Sequence, residues 1–257
     1  LSGKLQTGKT AQVQNGNELF RFSEKEYHYP KRENEVWYLG ANKMVVMDKQ
    51  KQTITKVATK LFLLYGFKSI TMDTVAREGH ISKKTIYKHF SNKESLITNV
   101  LDELGLNIRK MTDSIVKQSD NCLEACYFVY FNIFGQSNTN NSLIHWTLKK
   151  HYPTCYEHFY QYLWMVLLNT TCSVIKDGID KELILEEVDP RGFCYVTTNS
   201  LLNITNRTQV IKAEFDIAEL IEKTIYYDLR SILTPSGMVL LPLTTQNKQK
   251  FKHLQLT

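Results

Sequence analysis

Between Ile81 and Leu96 the chain reads ISKKTIYKHFSNKESL, with four lysines and a histidine in sixteen residues. Such a set can attract a polyanion if helices hold it together. With Ser82 as N-cap, Lys83 and Lys84 fall in the first turn of a helix. That end carries partial positive charge and unpaired N–H groups, so cations there are mildly unfavourable on their own. Ser91 and Glu94 read as an S-x-x-E capping box, which puts Lys93 in the first turn of the next helix. Phosphate groups bind helix N-termini, and lysine adds to that attraction. At about 100° per residue, Ile86 and Phe90 share one face and Lys84 and Lys88 lie opposite, flanked by Lys83, Thr85 and Tyr87. One side should dock into a core and the other stay open. The alternative is a solvated lysine face on an ordinary helix.

Other constellations are weaker. His151, Cys155 and His158 stand at i, i+4 and i+7 and have ligand chemistry, but Pro153 interrupts a helix across His151, so no metal is expected. Cys122 and Cys126, at i and i+4, are either redox partners or two small buried side chains. No Gly-rich phosphate loop, G-x-S-x-G or H-E-x-x-H occurs, and the acids are scattered. No catalytic residue, cofactor or enzyme activity is expected. Residues 127–164 hold twelve of the chain's aromatic rings, which serve either as core or as the wall of a pocket.

The elements must then position the lysines. The chain has 257 residues and a net charge of +6. Residues 48–97 hold ten Lys/Arg against four Asp/Glu, whereas residues 98–257 hold fifteen against seventeen. A local basic block on a balanced body fits a nucleic-acid-binding head, not a chain-long coat of positive charge. Five cysteines without a C-x-x-C pair argue against a disulfide framework, so a cytoplasmic location is expected. No apolar run approaches about 18 residues, so no membrane partner is expected.

Residues 1–46 are polar and lack a helical period, and Met44 and Met47 precede the first periodic segment; a disordered or non-native extension is expected there. From Thr53, the positions Ile54, Val57, Ala58, Leu61, Phe62 and Tyr65 predict a helix that Gly66 stops. Thr71 caps a second short helix, Gly79 and His80 break it, and the basic helix follows. Helix, short helix, tight turn, short helix is a helix-turn-helix layout. After Ser91 a long helix follows Leu96 to Ile115. Further helices are predicted at 121–135, 141–151, 154–177, 190–204 and 216–233, the last ended by Pro235 and Gly237, leaving 235–257 as a tail without an assigned role.

VATKLFLLYGFKSITMDTVAREGHISKKTIYKHFSNKESLI resembles the N-terminal domain of the TetR family of bacterial transcriptional regulators. The resemblance covers roughly residues 53–100. GIDKELILEEVDP is similar to the family's loop before its last two helices. The resemblance implies an all-α protein: a three-helix DNA-binding head at 47–96, then a ligand-binding and dimerisation body at 97–234. It implies a homodimeric regulator, a repressor that a small molecule releases from a double-stranded DNA operator. Carried over by position, Lys83, Lys84, Thr85 and Lys88 are base-edge candidates. Tyr87, His89 and Lys93 are phosphate candidates, with Thr53 and Thr71 as weaker ones. The family's effector cavity falls in the aromatic region, where Tyr127, Phe131, Phe134, Trp146, Tyr156 and Phe159 are the candidates. The family commonly has Gly where this chain has His80, which leaves open a turn shifted by one residue. The dimer seam is expected at 190–204 and 216–233, with Ile221, Ile225, Leu229 and Ile232 facing the second subunit.

Overall fold

The computed structural model describes residues 48–135, 147–206, 216–246 and 251, and among these it is helical without strands. A single isolated bridge joins Ile184 to Leu233. The expectations for residues 1–46, for Trp146 and for the end of the tail lie outside the described residues.

Helix α1, Lys49–Tyr65, begins one turn before Thr53, because Asp48 is available as a cap and accepts from the Gln50 N–H. It buries Ile54, Ala58, Leu61 and Phe62 and stops at Gly66, φ 81°. Helix α2 is Met72–Glu78, with Thr71 accepting from the Thr74 N–H. Helix α3 is Lys83–His89, with Ser82 accepting from the Thr85 N–H. Helix α4, Lys93–Gln118, corrects the predicted capping box by one residue. Asn92, not Ser91, is the cap: its Oδ1 accepts from the Ser95 N–H at 2.8 Å, and the Ser95 hydroxyl oxygen accepts from the Asn92 N–H at 3.3 Å. Asn and Ser cap about equally well, so the two overlapping boxes compete on nearly even terms.

Helix α5, Cys122–Tyr130, is buried on every side. It runs into one wide π turn, Phe131–Gly135, so the uniform helix predicted over 121–135 changes its winding partway. The buried Asn132 amide donates to the Phe128 carbonyl there. A helical turn at 147–151 precedes helix α6, Pro153–Asp180, which starts with proline at a position whose missing N–H costs nothing. Helices α7, Pro190–Asn206, and α8, Ile217–Arg230, pack on each other. The loop between α6 and α7 is pinned to the end of α8: the Leu185 N–H donates to the Ile232 carbonyl, and the Thr234 hydroxyl to the Glu182 carbonyl at 2.7 Å. Pro235 does not close the chain's helical part but opens helix α9, Pro235–Gln246, which lies on α5. Phe251 beyond it is buried against the Phe128 ring.

Two apolar clusters result. One joins α1, α2, α3 and the first turns of α4 with Leu148 and Cys155. The other gathers the rest of α4, α5, α6, α7, α8 and α9. The apolar stripe of α8 is used up in this second cluster: Ile221, Ile225 and Leu229 are 0–1 % exposed within the single chain, and Ile232 is 9 % exposed. The expected intersubunit seam through these residues is therefore overturned. The large apolar side chains that α7 and α8 leave exposed are Tyr195, Val196 and Tyr227.

Between the two clusters α4 meets α6 at Gly105. A Cβ there would lie 2.7 Å from a carbon of the Tyr162 ring. Glycine in a helix interior costs about 1 kcal/mol against alanine, so its presence answers to this contact. Gly105→Ala should push the ring off and lower the melting midpoint by several degrees, since overpacking costs about 1–3 kcal/mol. In a Tyr162→Ala background the same change should stabilise instead. Thermal melts of the four variants check the sign reversal; a stabilising Gly105→Ala in the wild-type background would show that the contact does not restrain α4.

Candidate functional site

The α2–α3 pair is built around a turn whose chemistry is unusual. Gly79 caps α2 in ordinary right-handed geometry, and His80 carries the left-handed conformation, φ 51°. The His80 N–H donates to the Arg77 carbonyl and the Ile81 N–H to the Ala76 carbonyl, a Schellman closure with histidine where glycine is usual. The turn is not shifted. Glycine at 79 also relieves crowding: a Cβ would stand 3.0 Å from the Val75 oxygen and 3.1 Å from the Ile81 side chain.

That turn sets α3 with Ile86 and Phe90 buried in the head and Lys84, Tyr87 and Lys88 exposed. The Thr85 hydroxyl lies 2.8 Å from the Ser82 hydroxyl, on the edge of the open face. Three other candidates have partners within the chain, Lys83 and Lys93 at the surface and His89 nearly buried. Lys83 reaches back to the first turn of α2, its Nζ 2.6 Å from an Asp73 carboxylate oxygen. The His89 side chain is only 9 % exposed and turns toward the start of α1, with Nδ1 3.5 Å from Asp48 Oδ2. Lys93 donates to the Lys68 carbonyl at 3.2 Å and lies over the Tyr152 ring. Thr53 spends its hydroxyl on the Lys49 carbonyl one turn back, and the exposed Thr71 spends its own on the cap of α2. The open basic face thus presents Lys84, Tyr87 and Lys88, with half-buried Thr85 at its edge and Lys83 beside it in an exposed pair with Asp73. The partners of Lys83 and Lys93 lie on other elements, and periodicity within one element does not signal them.

The aromatic candidates fall into two groups. Tyr127 and Phe131 stack with centroids 5.8 Å apart, and Phe134 stacks on Tyr130. These three candidates belong to the body cluster. Tyr156 packs on the head cluster and pairs with Tyr160 at 4.3 Å. Phe159 touches both clusters. Tyr127 is fully buried, and burial, then the Glu222 carboxylate, raises its phenol well above the usual range.

Among the described residues no three His, Cys, Asp or Glu side chains come together as metal ligands. Cys155 lies in the head cluster, while His158 Nε2 sits 3.0 Å from Asp102 Oδ1, so the two point to different partners. Burial pushes the Cys122 thiol up to about 11 and the Cys126 thiol higher still, which leaves little thiolate for redox chemistry at neutral pH. No described helix is long and apolar enough to cross a membrane.

Residues 54–100 match the family model of bacterial regulatory proteins, tetR family. Over 70 residues the chain is 36 % identical to the uncharacterized HTH-type transcriptional regulator YhgD of Bacillus subtilis, a match covering 27 % of this chain and 37 % of that relative, so the chain spans little more than a third of its length. Among solved structures, the B. subtilis transcriptional regulator FadR in complex with stearoyl-CoA superposes with a TM-score of 0.55 at 17 % identity, covering 70 % of this chain and 98 % of that one. The complex of SmeT with triclosan superposes with a TM-score of 0.59 at 12 % identity, covering 74 % and 94 %. SmeT is the repressor of a Stenotrophomonas maltophilia multidrug efflux pump. At these identities the two structures share the fold.

The turn supplies a direct test. A left-handed backbone costs an ordinary residue about 1–2 kcal/mol, and glycine's extra chain entropy offsets about 0.5–1 of that. His80→Gly should therefore leave the melting midpoint equal or slightly raised. His80→Val should lower it by several degrees, because a β-branched residue resists positive φ. Equal midpoints for glycine and valine would contradict the Schellman assignment.

Proposed function

We propose, from the premise that the head belongs to the tetR family of bacterial regulatory proteins and the described helices take the fold of its solved members, that this chain is a homodimeric transcriptional repressor whose operator binding is relieved by a small molecule. The observation that carries the reading is α3. Its apolar face is buried, and its other face offers exposed Lys84, Tyr87 and Lys88 with half-buried Thr85 at the edge. A helix presented in this way fits the major groove of duplex DNA. Backbone contacts fix its register there, and lysine and threonine read base edges. The body supplies the response. Helix α5 and its π turn carry a stacked ring pair and α6 a tilted one, and the solved relatives in complex with stearoyl-CoA and with triclosan hold molecules with large apolar parts. An effector of that kind would favour one arrangement of the heads over another and shift the population away from the one that fits DNA.

A binding selection from randomised duplexes tests the DNA reading. It should enrich a two-fold site whose half-site centres lie about 34 Å apart or a multiple of that. Lys84→Ala and Thr85→Ala should change the preferred sequence, by about 1–3 kcal/mol for each bidentate pairing to a base edge that is removed. Lys83→Ala should have a smaller effect on affinity than Lys88→Ala, because Lys83 is already paired with Asp73. A selection that enriches no sequence would overturn the reading.

The second copy has a surface suited to it. Tyr195, Val196 and Tyr227 are 55–59 % exposed on the adjacent helices α7 and α8. Large apolar side chains this exposed on neighbouring elements support an association surface there. Val196→Glu with Tyr227→Glu should give a folded monomer by light scattering, with far-UV circular dichroism unchanged and operator affinity abolished. Ile225→Glu should instead unfold the body, since it buries a charge inside the chain. A double variant that stays dimeric would place the interface on another surface.

A further inference from the structure

The end of α3 meets the start of α1 through one carboxylate. His89 is the last residue of α3, and its side chain is 9 % exposed. Its Nδ1 stands 3.5 Å from Asp48 Oδ2, while its Nε2 is buried without a hydrogen-bond partner. Among the described residues Asp48 is therefore the ring's one polar partner. The other oxygen of that carboxylate, Oδ1, accepts from the Gln50 N–H at 2.9 Å and caps α1. A second contact lies alongside: the Lys51 ammonium stands 5.6 Å from the centre of the Phe90 ring, the residue that follows α3.

Helix α1 is in turn anchored on α4. Ile54 and Thr55 are fully buried. The Thr55 hydroxyl donates to the Lys51 carbonyl at 2.9 Å and accepts from the Asn99 amide of α4 at 3.0 Å. The end of α3 is thus tied through α1 to the helix that continues into the body cluster. The start of α3 is held separately, by the Ser82 cap and the Lys83–Asp73 pair. At about 1.5 Å per residue the seven residues of α3 span only about 10 Å. A tilt about its start moves its last turn most, and that turn carries exposed Tyr87 and Lys88. A buried ring nitrogen without a partner costs stability, and a phenylalanine would fill the same place without that cost. Packing alone does not call for histidine here; the contact with Asp48 does.

We infer that Asp48 and His89 are positioning residues for DNA recognition: the carboxylate holds the last turn of α3 at the tilt that fits the major groove. This inference rests on the proposed reading of the head as a DNA-binding domain. His89, a phosphate candidate by its place in the sequence, acts instead through Tyr87 and Lys88 beside it. Without the contact α3 samples other tilts, and apparent affinity falls with the fraction that remains competent.

The test uses the full chain with Asp48→Ser, with His89→Phe and with both changes. Serine caps a helix about as well as aspartate, but its single oxygen cannot cap α1 and also reach His89. His89→Phe keeps a ring and removes both nitrogens. Loss of a carboxylate by itself raises affinity for every duplex, so a weakening in Asp48→Ser has the opposite sign to that charge effect. Each single variant should bind the selected duplex roughly tenfold more weakly, as when the competent tilt falls to about a tenth of the population. Binding to an unrelated duplex should not weaken, and the melting midpoint should stay within about 2 °C of the wild type. The double variant should lose no more than either single one, because both changes remove the same contact. Unchanged discrimination between the two duplexes in Asp48→Ser, or losses that add in the double variant, overturn the inference while leaving the head's reading intact. A binding loss that tracks a fall in the melting midpoint does the same, since it marks a structural role alone. Failure of the wild type to prefer any duplex overturns both.

Discussion

One helix belongs to two hydrophobic cores, and the arrangement of the described chain depends on it. The first turns of α4 place Leu96, Ile97, Val100 and Leu101 in the head cluster, and its later turns place Ile108, Met111 and Ile115 in the body cluster. At about 1.5 Å per residue its 26 residues span about 39 Å without a break. Helix α6 runs beside it in the same direction. Tyr152 meets Lys93, Cys155 meets Glu94 and Thr98, His158 meets Asp102 and Tyr162 meets Gly105. The magnitudes rank these contacts. The exposed His158–Asp102 pair is worth under about 1 kcal/mol and the cation–π contact a similar amount. Burying Leu148 and Cys155 in the head, with the close Tyr162–Gly105 fit, contributes more. Apolar packing therefore holds head to body, and the close fit of Tyr162 on Gly105 restrains its register.

Partners within the chain reduce the cost of placing lysines at helix starts in the head. Lys83 and Lys93 occupy the first positions of α3 and α4, where the helix dipole disfavours them. Each has a local partner that reduces the cost: a carboxylate of α2 for Lys83, a carbonyl and an aromatic face for Lys93. Lys84 and Lys88 lie on the open face; Lys84 shares the first turn with Lys83, whereas Lys88 stands in the last turn, where the dipole favours a cation. Position at a helix start is thus a true signal of unusual electrostatics, but it does not separate the cations used inside from those presented outward.

The head is legible in the sequence because its helices are amphipathic and short, with caps at Thr71 and Ser82 that fit only one register. At Ser91-Asn92 two capping boxes overlap, and the choice between them depends on the backbone rather than on composition. Helix α5 carries no polar face, so periodicity has nothing with which to mark the π turn after Tyr130. The stripe Ile221, Ile225, Leu229 is apolar and buried as its spacing predicts, but its cover is not the expected one. A period of 3.6 tells which face is buried but not whether α7 and the π turn of the same chain or a second chain lies over it. His80 is visible as a departure, but only the pair of closing hydrogen bonds shows that the turn keeps its register with histidine in the glycine position.

On the proposed reading, the energetic demand on an effector can be set against this packing. Moving a two-state equilibrium from 1:99 to 99:1 requires about 5.5 kcal/mol of differential binding. At about 25 cal/mol per Å² that corresponds to roughly 220 Å² of apolar surface buried in one state and not in the other. A ligand with a large apolar part can supply such an area; a small polar metabolite would need several well-made charged hydrogen bonds to match it. Among the described residues Phe159 is the ring that touches both clusters, and Tyr156, three residues before it, packs on the head side of the seam. A molecule that displaced Phe159 would disturb both cores at once, whereas one confined to Tyr127, Phe131 and Phe134 would act on the body and reach the head only through α4. The lever is short in the first case and runs along the later turns of α4 in the second, so Phe159 is the position where a given contact energy should be converted most fully into movement of the head.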